Sequence, residues 1–144
     1  MQYHLNEGSF SLPGDSWHDS SMTVLRDDAT GLTVVVSRGA IPDGSDFEQE
    51  FHRQWDSMRS QMTQLQQSTF ERVSVGALRQ IRAIEVSSQF ERNGQKLCQR
   101  QLAVKAGDKN LLMVFTFSAL RPFNEEDETR WDALKNTLSF AQDA

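Results

Sequence analysis

The dipeptide Asn93-Gly94 constrains the fold of this 144-residue chain more than any other feature. Both residues tolerate a positive φ, so the pair favours the tight turn that joins two antiparallel strands. Segments with the composition of long strands flank it, at 79–92 and 95–106. The pattern therefore predicts a β-hairpin at this point and favours an antiparallel sheet.

The rest of the chain predicts more strands and two helices. Ser45 is the expected N-cap of the first helix, with Glu48 closing a capping box, and Asn124 is the expected N-cap of the second. Hairpin connections between successive strands predict an α+β fold, in which one long helix and a C-terminal helix pack on an antiparallel sheet of a single domain, 1–144. The further strands are predicted at 2–5, 8–12, 20–26, 31–38, 68–76 and 110–119, and the helices at about 46–66 and at 124–140.

The composition is that of an ordinary soluble globular protein, with 38% hydrophobic and 24% charged residues. No stretch approaches the ~18 consecutive apolar residues of a membrane span. The first residues lack a basic region followed by an apolar one, so we expect no secretory signal and a cytoplasmic location. The net charge is -5, and Lys and Arg are scattered. Binding to nucleic acid or to an anionic membrane surface is therefore not predicted.

Motifs that carry catalysis or bind metals are missing from the sequence. His4, His18 and His52 have no partner at the spacing of a metal site. Cys98 is the one cysteine and sits in an alternating strand, which predicts a buried, unreactive thiol. Phosphate-binding glycine loops and the nucleophile elbow are absent as well. We therefore expect no enzyme, no cofactor and no bound metal.

The predicted strands at 31–38 and 95–106 carry different chemistry on their two faces. Successive side chains of a strand point to opposite sides, so alternate residues share a face. One face is apolar apart from Arg100, whereas the other mixes aliphatic groups with small hydroxyls and glutamine amides. Met22 and Val24 likewise share one face of the strand at 20–26. The apolar faces are formed by Leu32, Val34, Val36, Cys98, Leu102 and Val104, and the mixed faces by Thr33, Val35, Ser37, Leu97, Gln99, Gln101 and Ala103.

The mixed face allows two interpretations. In the first, it is the half-exposed surface of a sheet whose apolar face is the core. In the second, it lines a binding groove, which would explain why this face carries almost no Lys or Glu.

The segment FHRQWDSMRSQMTQLQQ, at 51–67, shows similar chemistry on the long helix. Gln54 and Gln61 border the apolar sector next to Met58 on a wheel of about 100° per residue. Such glutamines are commonplace at helix boundaries, but together with the mixed face they would form a groove suited to an apolar helix. Methionine adapts to irregular apolar shapes, and neutral amides cost less to desolvate than charges. The apolar sector contains Phe47, Phe51, Trp55, Met58, Met62 and Leu65.

Four stretches, LPGDSWHDSSMTVL, VVVSR, FEQEFHRQWDSM and FERNGQKLCQRQLAV, resemble in this order the Eag (effector-associated) chaperones of bacterial type VI secretion. These chaperones belong to the DcrB-like superfamily. The resemblance implies a cytoplasmic homodimer that is not an enzyme and does not itself insert into the membrane. It also implies a partner, the N-terminal transmembrane segments of an effector that carries a PAAR domain, Rhs-type effectors included. The chaperone would shield these segments until the effector is loaded onto the secretion spike.

The resemblance also implies which residues form the groove. They are Met22, Val24, Thr33, Val35, Ser37, Gln54, Met58, Gln61, Leu97 and Gln101. Two alternatives remain at this point. An immunity or inhibitor protein would meet a folded toxin domain through charged specificity pairs, and a small enzyme or lipid carrier would hold a metal or a lipid.

Overall fold

The computed structural model describes residues 1–140 and has an α+β architecture, as predicted from the sequence. The predicted domain also includes 141–144, which lie outside the described residues. Within 1–140 the strands form a two-stranded sheet and a seven-stranded sheet, accompanied by two helices. The elements are β1 Gln2–His4, β2 Ser9–Ser11, β3 Met22–Asp27, β4 Leu32–Ala40, α1 Phe47–Arg59, β5 Thr63–Gln67, β6 Glu71–Val75, β7 Ile81–Arg92, β8 Gln95–Lys105, β9 Leu111–Ala119 and α2 Glu125–Thr137.

The large sheet has the strand order β3-β4-β9-β8-β7, and β5 and β6 both pair with β7 at different points along it. Every pairing in it is antiparallel. Asn93 and Gly94 lie between β7 and β8 with φ angles of 53° and 78°, so the predicted hairpin is confirmed. The two-stranded sheet joins β1 to β2.

The two helices cover opposite faces of the large sheet, and each face has its own core. On one face Trp131 of α2 packs with Leu32 and other apolar side chains of the sheet. On the other face Phe51 and Trp55 of α1 pack with Val114 and its neighbours. The all-apolar strand faces predicted from the sequence lie on the α2 side. The mixed faces therefore lie on the same side as α1.

Helix α1 ends at Arg59, so the predicted continuation to residue 66 is wrong. A turn follows, in which the amide of Gln61 donates to the carbonyl of Met58 over 3.0 Å. Residues Thr63–Gln67 instead form β5, which pairs with β7. The predicted strand at 68–76 is correspondingly shorter, since β6 covers only Glu71–Val75. Pairing with β7 satisfies the backbone groups of both strands, whereas a longer helix would leave this edge of β7 without its partner.

Helix α1 begins one residue later than predicted, because Asp46 and not Ser45 is its N-cap. The Asp46 carboxylate accepts a hydrogen bond from the amide of Gln49 over 2.8 Å. The Gln49 side chain in turn accepts from the amide of Asp46 over 3.0 Å. The capping box is thus present but shifted by one position, so Glu48 does not close it.

The N-terminus of α2 is fixed to the sheet by the buried carboxylate of Asp127. Asn124 caps the helix as predicted, and Asp127 completes a capping box with it. Arg121 donates to Asp127 over 2.5 Å and to the carbonyl of Thr30 over 2.7 Å. This arginine therefore links α2 to the turn between β3 and β4. Its hydrogen bond is the main reason that the pKa of Asp127 lies below its usual value of 3.8, although burial opposes the shift.

We expect acid to remove the stability that Asp127 provides. Because the native carboxyl has the lower pKa, its ionised form stabilises the fold above the pKa of an unfolded aspartate, and the effect is lost as pH falls through the native pKa. Asp127→Asn should lower the free energy of unfolding by about 1–2 kcal/mol at pH 7. Urea denaturation from pH 7 to pH 2 should show a shallower pH dependence for this variant than for wild type. Equal slopes would contradict this role, and the exposed Glu126→Gln on the same helix is the matched control.

Candidate functional site

A groove of about 280 Å³ lies between α1 and the sheet and is called here the α1 groove. Helix α1 supplies one wall, and strands β3, β4, β8 and β9 supply the floor and the other wall. Phe51 and Trp55 are buried at its base and hold the helix to the sheet, as the helical wheel predicted. Six of the ten predicted groove residues line it: Met22, Val35, Ser37, Gln54, Met58 and Gln101.

The strand register brings the mixed faces of several strands together. Val24 pairs with Val35, which pairs with Thr116, which in turn pairs with Gln101. Side chains in such a rung point to the same face of an antiparallel sheet. The sheet residues that the sequence assigned to one groove therefore do share one face, although the register could not be read from the sequence.

The next rung of the sheet is entirely polar. It runs from Thr33 through Ser118 and Gln99 to Ser88. On the other side of the first rung, Met22 pairs with Ser37. Neighbouring rungs on the same face of the sheet are two residues apart. The floor therefore changes from mainly aliphatic side chains near Met22 to amides and hydroxyls near Gln99 within a few ångströms.

Three predicted residues, Val24, Thr33 and Leu97, lie on the α1 face of the sheet but outside the lining of the groove. Leu97 packs beside the core under α1. Gln61 is separate, because α1 ends before it and leaves it exposed in the following turn. Its predicted place beside Met58 on the helix is therefore wrong.

Sequence reasoning missed Gln99, Arg92 and Thr116 as groove residues. Gln99 could have been found, because it lies two positions before Gln101 and so faces the same side. Thr116 belongs to β9, and only the pairing of β8 with β9 places it beside Gln101. Arg92 lies at the end of β7 and carries no local sign of its position.

Three polar atoms at the floor of this face are buried without a hydrogen-bond partner among residues 1–140. They are the hydroxyl of Ser88, Nε2 of Gln99 and Oε1 of Gln101. Their residues are only 8%, 5% and 5% exposed. Gln101 does use its other amide atom, since Nε2 donates to the hydroxyl of Thr116 over 3.0 Å. An unsatisfied buried group costs about 1–3 kcal/mol, so three on one face single it out as the candidate site.

Gln54 is the amide on the helix wall, and its neighbour Glu50 holds it. Gln54 Nε2 lies 3.3 Å from Glu50 Oε1, and the guanidinium of Arg53 donates to the same carboxylate over 2.5 Å. The hydrogen bond from Arg53 is the main reason that the pKa of Glu50 lies below its usual value, against the effect of burial. The carboxylate is therefore ionised at neutral pH and accepts hydrogen bonds only.

Large apolar side chains are exposed at the lip of the groove and just beyond it. Met22 and Met58, which line the groove, are 63% and 41% exposed, and Val24, beside Met22 on the same face of β3, is 49% exposed. Contiguous apolar surface of this kind marks an interaction site more often than isolated exposed residues do. A polar floor beneath an apolar lip suits a partner that is mostly apolar and carries a few polar groups.

The sequence model of the DcrB family matches residues 7–137. The chain belongs to the DcrB family. Membership in this family suggests a protein-binding or regulatory role, and no curated protein matches the chain in sequence.

The fold of this DcrB-family protein is similar to a solved structure. The crystal structure of PA94 from Pseudomonas aeruginosa, a protein of unknown function described as a candidate regulator, matches it with a TM-score of 0.74. The two chains are 20% identical, and the match covers 99% of this chain and 98% of PA94. At 20% sequence identity, the structural similarity shows a shared fold alone. Neither helix within residues 1–140 has the length and apolar character needed to cross a membrane.

Proposed function

We propose that this DcrB-family protein is an Eag-type chaperone of type VI secretion. It binds the N-terminal transmembrane helices of a PAAR-containing effector in the α1 groove and shields them before the effector is loaded onto the secretion spike. The observation that carries the proposal is the pair of unpartnered polar atoms on Gln99 and Gln101, which line the groove beneath an exposed apolar lip. The resemblance of four stretches to Eag chaperones supports it.

A transmembrane helix fits both parts of this surface. Its backbone hydrogen bonds are satisfied internally, so it places only side chains against the floor. Its aliphatic side chains would cover Met22, Val24 and Met58, which the free protein exposes. A serine or threonine on the same helix would meet the buried amides. A folded toxin domain would instead be met by charged pairs, and Arg92 is the charged residue that lines this groove.

The energies are of the right size for reversible capture. Complete burial of a large apolar side chain is worth about 1.5–3 kcal/mol, and the helix contributes its own side chains as well. Each amide hydrogen bond adds about 0.5–1.5 kcal/mol. Association costs about 4–15 kcal/mol. Burial of roughly six side chains therefore gives a gain of the same size as the cost of association, which makes binding feasible.

The other parts of the proposal follow from the same resemblance. The protein acts as a cytoplasmic homodimer, so two α1 grooves are available to a pair of hydrophobic segments. It has no enzymatic activity and needs no cofactor, because holding a helix requires only surface.

Co-expression with fragments of the effector encoded beside it tests the proposed function. We expect this protein to co-purify with the fragment that contains the N-terminal hydrophobic segments and to keep it soluble. The fragment that contains the toxin domain should not co-purify. Capture of the toxin fragment alone would overturn the proposal in favour of an immunity protein.

A further inference from the structure

We propose that Glu50 is a positioning residue that sets the hydrogen-bonding polarity of the helix wall of the α1 groove. By holding the amide NH₂ of Gln54, it leaves the carbonyl oxygen of Gln54 to the bound helix. This wall then favours apolar helices that carry a side-chain donor, such as a hydroxyl group, beside it. This inference rests on the proposed function, because it concerns the choice among helices that the groove binds.

The placement of Glu50 is unusual for a helix carboxylate. Its side chain is only 4% exposed, whereas that of its cationic partner Arg53 is 67% exposed. An ion pair with Arg53 alone could form at the surface without burying the carboxylate, and desolvation makes that burial costly. The second contact of Glu50 is with Gln54, which lines the groove. Burial thus brings the carboxylate to the one amide on the helix wall.

The Gln54 amide lies beside strand β4. A Cβ added at Gly39 would lie 3.7 Å from Gln54 Nε2, an ordinary van der Waals contact, so the amide reaches the sheet at this point. Gln54 is therefore bordered by Glu50 on its own helix and by Gly39 on the sheet. The amide has a defined place in the groove wall.

The chemistry of the carboxylate then fixes which way the amide faces. An amide can donate or accept, but an ionised carboxylate only accepts, so Gln54 must turn its NH₂ toward Glu50. Its carbonyl oxygen, on the side away from Glu50, is then the acceptor available to a ligand, while the second N–H stays on the Glu50 side. Gln101 also has a free acceptor, because its NH₂ donates to the Thr116 hydroxyl and its Oε1 has no partner among residues 1–140. Gln99 instead presents a donor at the floor, its unpartnered Nε2. The acceptor that Glu50 controls is therefore the one on the helix wall, and a donor on the ligand complements it there.

Designed peptides test this inference. The probes are a 20-residue leucine–alanine helix with terminal lysines, and five versions that carry one serine at successive central positions. Wild type should bind at least one serine peptide about two- to tenfold more tightly than the parent, the value of one neutral hydrogen bond. Gln54→Leu should abolish the preference at that position, since it removes the acceptor.

Glu50→Gln is the decisive variant. Because a serine hydroxyl both donates and accepts, each serine peptide is compared with its O-methylserine counterpart, which only accepts. A glutamine at position 50 both donates and accepts, so Gln54 can take either orientation, and the preference for serine over O-methylserine should fall toward one. Affinity for the parent peptide should change less than twofold. Glu48→Gln, the same substitution two residues away, removes the contact with Arg72 and should leave the preference unchanged. A merely structural role of Glu50 would weaken all peptides equally, and that result would overturn the inference.

The outcomes separate this inference from the proposed function. If wild type binds none of the peptides, both fail. If it binds them without a serine preference that depends on Gln54, only the positioning role fails. In case Glu50→Gln does not fold, nuclear magnetic resonance of wild type decides: the side-chain amide signals of Gln54 should shift as Glu50 protonates in acid. Signals that do not respond to that titration would overturn the role of Glu50.

Discussion

Val24→Asp is expected to weaken the binding of an apolar helix at least 100-fold while leaving the fold intact. Val24 is half exposed on the α1 face, so an aspartate there stays hydrated in the free protein. In the complex the carboxylate would be pressed against hydrocarbon without a partner, which costs several kcal/mol. A 100-fold loss corresponds to about 2.7 kcal/mol. Isothermal titration with the leucine–alanine peptide measures the loss, and circular dichroism checks the fold.

The neighbouring residue provides the control for this prediction. Leu25 is also exposed but points to the opposite face of the same edge strand. Leu25→Asp adds the same charge to the same strand, so it should change affinity less than threefold. Equal losses in the two variants would show that an added charge on β3, or a less stable β3, weakens binding whichever face it lies on. That result would contradict a groove on the α1 face. Unfolding of Val24→Asp would assign Val24 to the core.

Trp131→Ala is expected to destabilise the protein by about 3–5 kcal/mol, because it removes the largest fully buried side chain of the α2 core. The indole stacks near Phe117 and donates a hydrogen bond to Glu85. Its removal therefore creates a cavity and leaves a half-buried carboxylate with Lys135 as its remaining partner. For a chain of this size the melting temperature should fall by about 10–17 °C.

Trp17→Ala is the matched control, since Trp17 is exposed and belongs to neither core cluster. It should change the free energy of unfolding by less than about 0.5 kcal/mol. Urea denaturation measures the change in the free energy of unfolding for both variants. A loss below 1 kcal/mol for Trp131→Ala would contradict the packing of α2 on the sheet.

Elements with local signals could be predicted from the sequence. Asn93-Gly94 encodes its hairpin within two residues, and Asn124 caps α2 through a side chain that needs only its own backbone. The end of α1 has no such signal. Met62 and Leu65 are three residues apart, which is the spacing of a helix. The deciding interaction is the pairing of β5 with β7, some twenty to thirty residues further along the chain.

The candidate site likewise has a part that could be predicted from the sequence and a part that could not. Alternation along single strands indicated that Val35 and Gln101 lie on a mixed face. Only the strand register places Thr116 between them. Glu50 gave no sign at all, because a glutamate in the first turns of a helix usually faces solvent, and its burial depends on how α1 sits on the sheet. The sequence prediction puts Gln61 on the helix beside Met58, which is wrong because α1 ends at Arg59.

Photo-crosslinking from the groove tests the central claim most directly. A photoreactive phenylalanine analogue is placed at Met58, on the lip of the groove, or at Leu78, which is exposed in the turn between β6 and β7. Each variant is co-expressed with a PAAR-containing effector of the proposed class and irradiated. We expect crosslinks from position 58 to the N-terminal hydrophobic segments and none from position 78. Crosslinks from position 58 to the toxin domain, or equal crosslinking from both positions, would contradict the central claim.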